Sequence, residues 1–157
     1  MDESSAFNDL GRALYRLLSA GDTRAEYSLS LIRGTGYSVI RVFTPNGEFE
    51  RGGERYATVS SSIDLVTAAR NLRAACYREG AGTWFSAVFT VTSQGTATAE
   101  YNYDEEPDWD APIDAAMYAN DQDKFPRDES AQPDWLKQKI AEGRAQIIAQ
   151  KNRTRRR

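Results

Sequence analysis

The sequence predicts an α+β domain, an antiparallel sheet of about five strands in two hairpins with helices packed on one side. Three observations carry this prediction. Apolar residues recur at helical spacing ahead of each of two strand pairs. The strand pairs are β-branched and aromatic, with turn residues between them. The 157 residues suit one domain, which at this size buries roughly 70% of the surface its unfolded form exposes and needs no disulfide.

Phe7, Leu10, Leu14, Leu17 and Leu18 put a stripe on one helical face, and Gly21 stops that helix. Tyr27, Leu29 and Leu31 then alternate with Ser28, Ser30 and Ile32. After Arg33-Gly34-Thr35-Gly36, the run Tyr37 to Phe43 completes a hairpin. Pro45-Asn46-Gly47 is turn chemistry, because Pro presets φ and Asn-Gly tolerates positive φ, and a third short strand follows around Glu48 to Glu50. Gly52-Gly53 loosens the chain. Ser61 or Ser62 caps a helix whose apolar face is Ile63, Val66, Ala69, Leu72 and Cys76 and which ends before Gly80.

Trp84 to Thr92 is the most strand-like run. Ser93-Gln94-Gly95 turns it into Thr96 to Tyr103, with Ala97, Ala99, Tyr101 and Tyr103 on one face. This second hairpin delivers the chain into Asp104-Glu105-Glu106-Pro107-Asp108-Trp109-Asp110, an anionic loop anchored to a sheet. Ile113 to Asp123 forms a short helix, and Phe125 to Asp128 an irregular connection. Pro133 opens a last helix from about Asp134 to Gln150, in which Gly143 costs roughly 1 kcal/mol relative to Ala. Residues 1–150 thus read as one domain and 151–157 as a basic, frayed tail.

Histidine is absent, which removes imidazole acid–base chemistry and the commonest zinc, iron and copper ligand. With Cys76 the lone cysteine, no intramolecular disulfide or thiolate cluster forms, and its place on an apolar stripe marks a buried, inert thiol. The acidic start, MDESSAFNDL, is unlike a signal peptide, and no apolar run approaches a membrane span, so the expected location is cytoplasmic. Charge is unevenly spread: residues 1–99 are net 0, residues 100–134 net −10 and residues 135–157 net +7. Such asymmetry concerns partners rather than fold.

The acidic loop is the one concentrated polar signal. Paired carboxylates serve glycoside hydrolysis or bind hard cations, but the loop lacks the residue order of a calcium loop, and glycosidase acids sit apart in a cleft. Trp109 either packs back on the domain, which pins the carboxylates in place, or anchors a partner, and either role suits recognition. Gly34-Thr35-Gly36 and Arg51-Gly52-Gly53 do not resemble a phosphate-binding loop. Tyr101 and Tyr103 read as sheet-face packing. The terminal arginines read as a disordered end or a tail that screens the acidic segment in cis, since isolated phosphate contacts of that kind are weak and salt-dependent.

The stretch Gly82-Thr83-Trp84-Phe85-Ser86-Ala87-Val88-Phe89-Thr90-Val91, the run Glu100 to Asp110, Phe125-Pro126-Arg127-Asp128-Glu129 and Pro133-Asp134-Trp135-Leu136 resemble the YezG-like antitoxin or immunity proteins of bacterial polymorphic toxin systems, most of all their actinobacterial branch. The resemblance covers about Gly82 to Ile140. Ser130-Ala131 stands where a His is expected after Arg127-Asp128-Glu129. The resemblance implies a cytoplasmic, non-enzymatic protein that neutralises a cognate secreted toxin, in several relatives a nuclease. The toxin-binding residues expected here are Tyr103, Asp104, Glu105, Glu106, Asp108, Trp109 and Asp110, with no catalytic residue, metal or cofactor. The expected partner is the toxin protein, without membrane, direct nucleic-acid or small-molecule substrate binding. The alternative expectation is a small carboxylate-based hydrolase or a cation-stabilised binding module.

Overall fold

The computed structural model describes residues 1–156. The chain folds as α+β, with a six-stranded antiparallel sheet and four helices. Helix α1 (Glu3–Tyr15) starts where the Asp2 carboxylate accepts the Ser5 N–H at 2.7 Å, satisfying a first-turn donor that the helix itself leaves free. Strands β1 (Arg24–Ile32), β2 (Thr35–Phe43), β3 (Phe49–Arg51) and β4 (Glu54–Val59) follow, then helix α2 (Ile63–Ala75). Strands β5 (Ser86–Thr92) and β6 (Ala97–Asn102) precede helices α3 (Ala115–Lys124) and α4 (Asp134–Arg155). The sheet order is β3-β4-β2-β1-β5-β6.

The additional strand is β4. Gly52 and Gly53 both adopt positive φ, 58° and 84°, while Arg51 pairs with Glu54 across them. Two such residues in succession match the twist of a two-residue hairpin, so the Gly-Gly pair closes a turn instead of loosening the chain. Gly47, by contrast, is not in the left-handed region. It is glycine because a Cβ there would run into the main chain of Tyr56.

The period-two pattern of β1 decides how the layers stack. Ala25, Tyr27, Leu29 and Leu31 are buried, and the last three pack with Leu10, Leu14, Leu72, Trp84 and Phe89 in the main core under α1 and α2. Within α2 the buried stripe is Leu65, Ala69, Leu72 and Cys76, whose spacings of four, three and four hold one helical face. Ile63 is in the first turn and 85% exposed, which corrects its assignment to that face. Ser62 is the cap, its Oγ accepting the Leu65 N–H at 3.1 Å. Cys76 is buried as expected, and burial raises its thiol pKa above the ordinary value.

The opposite face of the sheet carries Ser28 and Ser30 from β1, Tyr37 and Val39 from β2, and Ser86 and Val88 from β5. There it forms a groove of about 580 Å³. Ile32, at the end of β1, belongs instead to a second cluster with Phe85, Tyr118, Leu136 and Ile140, where α3 and α4 pack against the end of the sheet. Arg73 crosses between the two clusters. Its guanidinium donates to both Asp121 carboxylate oxygens at 2.6 and 2.8 Å and to the Trp84 carbonyl at 2.7 Å, and both partners are nearly inaccessible to solvent.

Gly143 is where α4 crosses the start of α3, and a Cβ there would collide with the Ala115 carbonyl and crowd the Ala116 Cα. The glycine is therefore a close-approach residue rather than only a weak point. Gly143→Ala gains about 1 kcal/mol of helix propensity but overpacks against immovable main chain, a penalty of about 1–3 kcal/mol. The net expectation is a lower midpoint in urea, and a higher midpoint would show that the two helices separate freely.

Helix α4 continues to Arg155, through most of the segment expected to be frayed; Arg157 lies outside the described residues. Asp134 in its first turn and Arg153 and Arg155 in its last complement the helix dipole at both ends. The helix also carries the basic tip away from the start of the acidic loop: Trp135, in its first turn, touches Asp104, and 22 residues at 1.5 Å each span about 30 Å. Among the described residues no helix is long and apolar enough to cross a membrane.

Candidate functional site: a pinned acidic loop

Strand β6 ends at Asn102, and the Asn102 side chain continues the pairing that the backbone gives up. Its amide nitrogen donates to Ser86 Oγ and to the Glu105 carbonyl, and its oxygen accepts the Glu105 N–H, each at 2.9 Å. The next restraint is Arg127. Although charged, it is only 5% exposed, and it donates to the carbonyls of Thr83 at 3.0 Å, Ala131 at 3.2 Å and Tyr103. The guanidinium lies 4.7 Å from the Phe85 ring centroid and 3.5 Å from the Asp104 carboxylate. Burial pulls the Arg127 pKa below its ordinary value, and the Asp104 charge opposes that shift.

Room for Arg127 comes from the loop after α2. Gly82, at φ +80°, lies so close that a Cβ would overlap the arginine stem, and the Gly80 carbonyl accepts the Asp128 N–H at 2.8 Å. Two indoles finish the scaffold. Trp135 Nε1 donates to the Asp104 carbonyl at 2.7 Å, and Trp109 Nε1 to the Tyr118 hydroxyl at 2.8 Å. Pro107, between Asp104 and Trp109 in sequence, is buried, and Trp109 packs on the second apolar cluster. Trp109 therefore packs back on the domain.

These contacts hold the loop mainly by its backbone, its indole and Asn102. The carboxylates of Asp104, Glu105, Glu106, Asp108 and Asp110 are left exposed, with Asp104 at 77% even beside Arg127. Glu106, Trp109 and Asp110 border a hollow of about 400 Å³ with Pro112, Ile113, Tyr118 and Lys139, while Asp108 borders the sheet-face groove together with Glu100. The loop thus stands as a ridge between two concavities. Tyr103 borders neither; its ring packs edge-on against Tyr101, with centroids 6.2 Å apart.

Carboxylate hydrolysis requires two converging acids, the proton donor held in a desolvated setting. No acid of this loop is desolvated. Nor does any group of three or more His, Cys, Asp and Glu among the described residues have an arrangement that would hold a metal ion. Sequence reasoning did not find Arg127. The available signal was its position: it is one of two cations in residues 100–134, flanked by Pro126 and the acidic run, where a solvated arginine would have no fixed partner. No protein-family model matches the chain, and no curated protein matches it in sequence.

Proposed function

We propose that the protein is a non-enzymatic immunity protein that neutralises a cognate toxin in the cytoplasm of the producing bacterium, with the acidic loop as its binding surface. The observation that carries this reading is the division of labour in the loop: its backbone and indole are fixed by buried or half-buried partners, while five carboxylates face solvent. A catalytic group would be wasted in such a setting, but a recognition group is favoured by it. A surface already rigid gives up little side-chain and loop entropy on binding. A toxin that acts on nucleic acid must carry a cationic cleft, and clustered carboxylates compete for that field, raising association toward 10⁸ M⁻¹s⁻¹ at low salt on the order seen for steered pairs.

The test is co-expression with a toxic protein encoded beside it. Glu105→Gln, Glu106→Gln and Asp110→Asn together are expected to weaken toxin binding about 10- to 100-fold at low salt and to flatten its salt dependence. The melting temperature stays within about a degree or two, because the three side chains are exposed and unpaired among the described ion pairs. Equal affinity and an equal salt slope for the triple variant would refute the surface assignment.

A further inference from the structure

We propose that the helix-free face of the sheet is a second docking surface, and that it receives an extended basic segment of a partner protein; this rests on the immunity reading and deepens it. The groove's floor alternates small hydroxyls with apolar side chains: Ser28 and Ser30 on β1, Val39 on β2, Val88 on β5. Ser30 is only 6% exposed, and no hydrogen bond among the described residues engages the Ser28 or Ser30 hydroxyl. Such groups stay available to a ligand that brings its own donors.

The charge on the rim selects the ligand. Glu100 on β6 and Asp108 on the ridge are exposed, and neither takes part in an ion pair among the described residues. The one cation lining the groove among the described residues, Arg41, lies 3.7 Å from Glu26, a carboxylate that Arg51 engages through both oxygens at 3.0 and 2.8 Å. An arginine or lysine entering the groove therefore finds two unpaired carboxylates, whereas an acidic segment finds Arg41 alone, shared with Glu26, and meets both carboxylates as like charges. At about 580 Å³ and open along the sheet, the site takes a few residues of extended chain rather than a folded element. Asp108 belongs to both surfaces, so a toxin straddling the ridge reaches the loop and the sheet at once.

The experiment titrates the isotope-labelled full chain, followed by amide NMR, with three probes: a blocked hexapeptide of alternating arginine and valine, its glutamate–valine counterpart, and spermidine. The basic peptide is expected to shift amides of Ser28, Ser30, Val88, Glu100 and Asp108, and to bind at least tenfold more tightly than either control. Glu100→Gln, which cannot disturb the core, weakens it about tenfold, and Val88→Thr does so less. Glu106→Gln with Asp110→Asn changes it under twofold. Spermidine binding as tightly in the same groove would overturn the protein-segment assignment in favour of a small amine. Equal binding of the acidic peptide, or no shifts at all, would overturn the site. Shifts confined to Trp109, Ile113 and Lys139 would overturn the groove while leaving the acidic-loop reading intact. A basic peptide in the groove, with toxin affinity unchanged in the triple loop variant, would sink the loop reading instead.

Discussion

Asp121→Ala is expected to lower the free energy of unfolding by about 3–5 kcal/mol, measured as the shift of the urea midpoint at constant slope. Asp121 is nearly inaccessible to solvent, and both of its oxygens are taken up by Arg73, at 2.6 and 2.8 Å. One of them also accepts the Arg33 N–H at 2.8 Å, which ties the β1–β2 turn to α3. Removing the carboxylate strands a guanidinium that water cannot reach, and this penalty exceeds what the pair itself contributes. The distinction is testable in the same titration. Arg73→Met combined with Asp121→Leu leaves no orphaned charge and is expected to recover more than half of the loss. Full recovery is not expected, because the Trp84 carbonyl and the Arg33 N–H still lose their partners. A double variant no better than Asp121→Ala would show that the pair's own attraction dominates.

The second large effect belongs to Arg127→Met. It withdraws the donor from three carbonyls, Ala131 in the following turn and Thr83 and Tyr103 from segments distant in sequence. Unmatched buried acceptors make a loss of about 2–4 kcal/mol the expectation. The functional consequence is separate from the thermodynamic one. The five carboxylates remain, but the ridge carrying them is released, so the Glu105 amide is expected to exchange faster with solvent and, on the proposed function, affinity for the toxin to fall about tenfold. Arg127→Lys, which keeps the charge but not the planar fork, is expected to restore little of either. Unchanged exchange at Glu105 would mean that Asn102 and Trp135 hold the loop unaided.

Much of this architecture can be read directly from residue order. The alternation along Tyr27 to Leu31 places the core face of the central strand, and the Ala97-Ala99-Tyr101 parity places that of β6. The anchoring of Trp109 follows from the cost of leaving an indole in water. What escaped has a common cause, namely that charge and glycine have default readings which tertiary context overrides. Strand β4 is largely polar and half-exposed, so its period-two signal is faint, and the Gly-Gly turn that would have revealed it also fits a flexible loop. Nothing local marks Arg73 or Arg127 as buried, since most arginines are solvated, and it is chiefly a carboxylate or carbonyls brought from far along the chain that make their burial tolerable. Beyond Gln150 no apolar residue marks α4, yet the chain remains helical to Arg155 with its ends electrically matched. Gly143 looked like a propensity defect, since a one-dimensional pattern does not contain the carbonyl of Ala115.

Because the 22 residues of α4 separate its cationic end from the contact its first turn makes with Asp104, the molecule behaves as an electric compass needle. A cationic enzyme approaching from any side exerts a torque that swings the ridge toward it and the arginine-tipped arm away. Alignment thus precedes touch, and a larger share of collisions arrive face-on than random tumbling would supply.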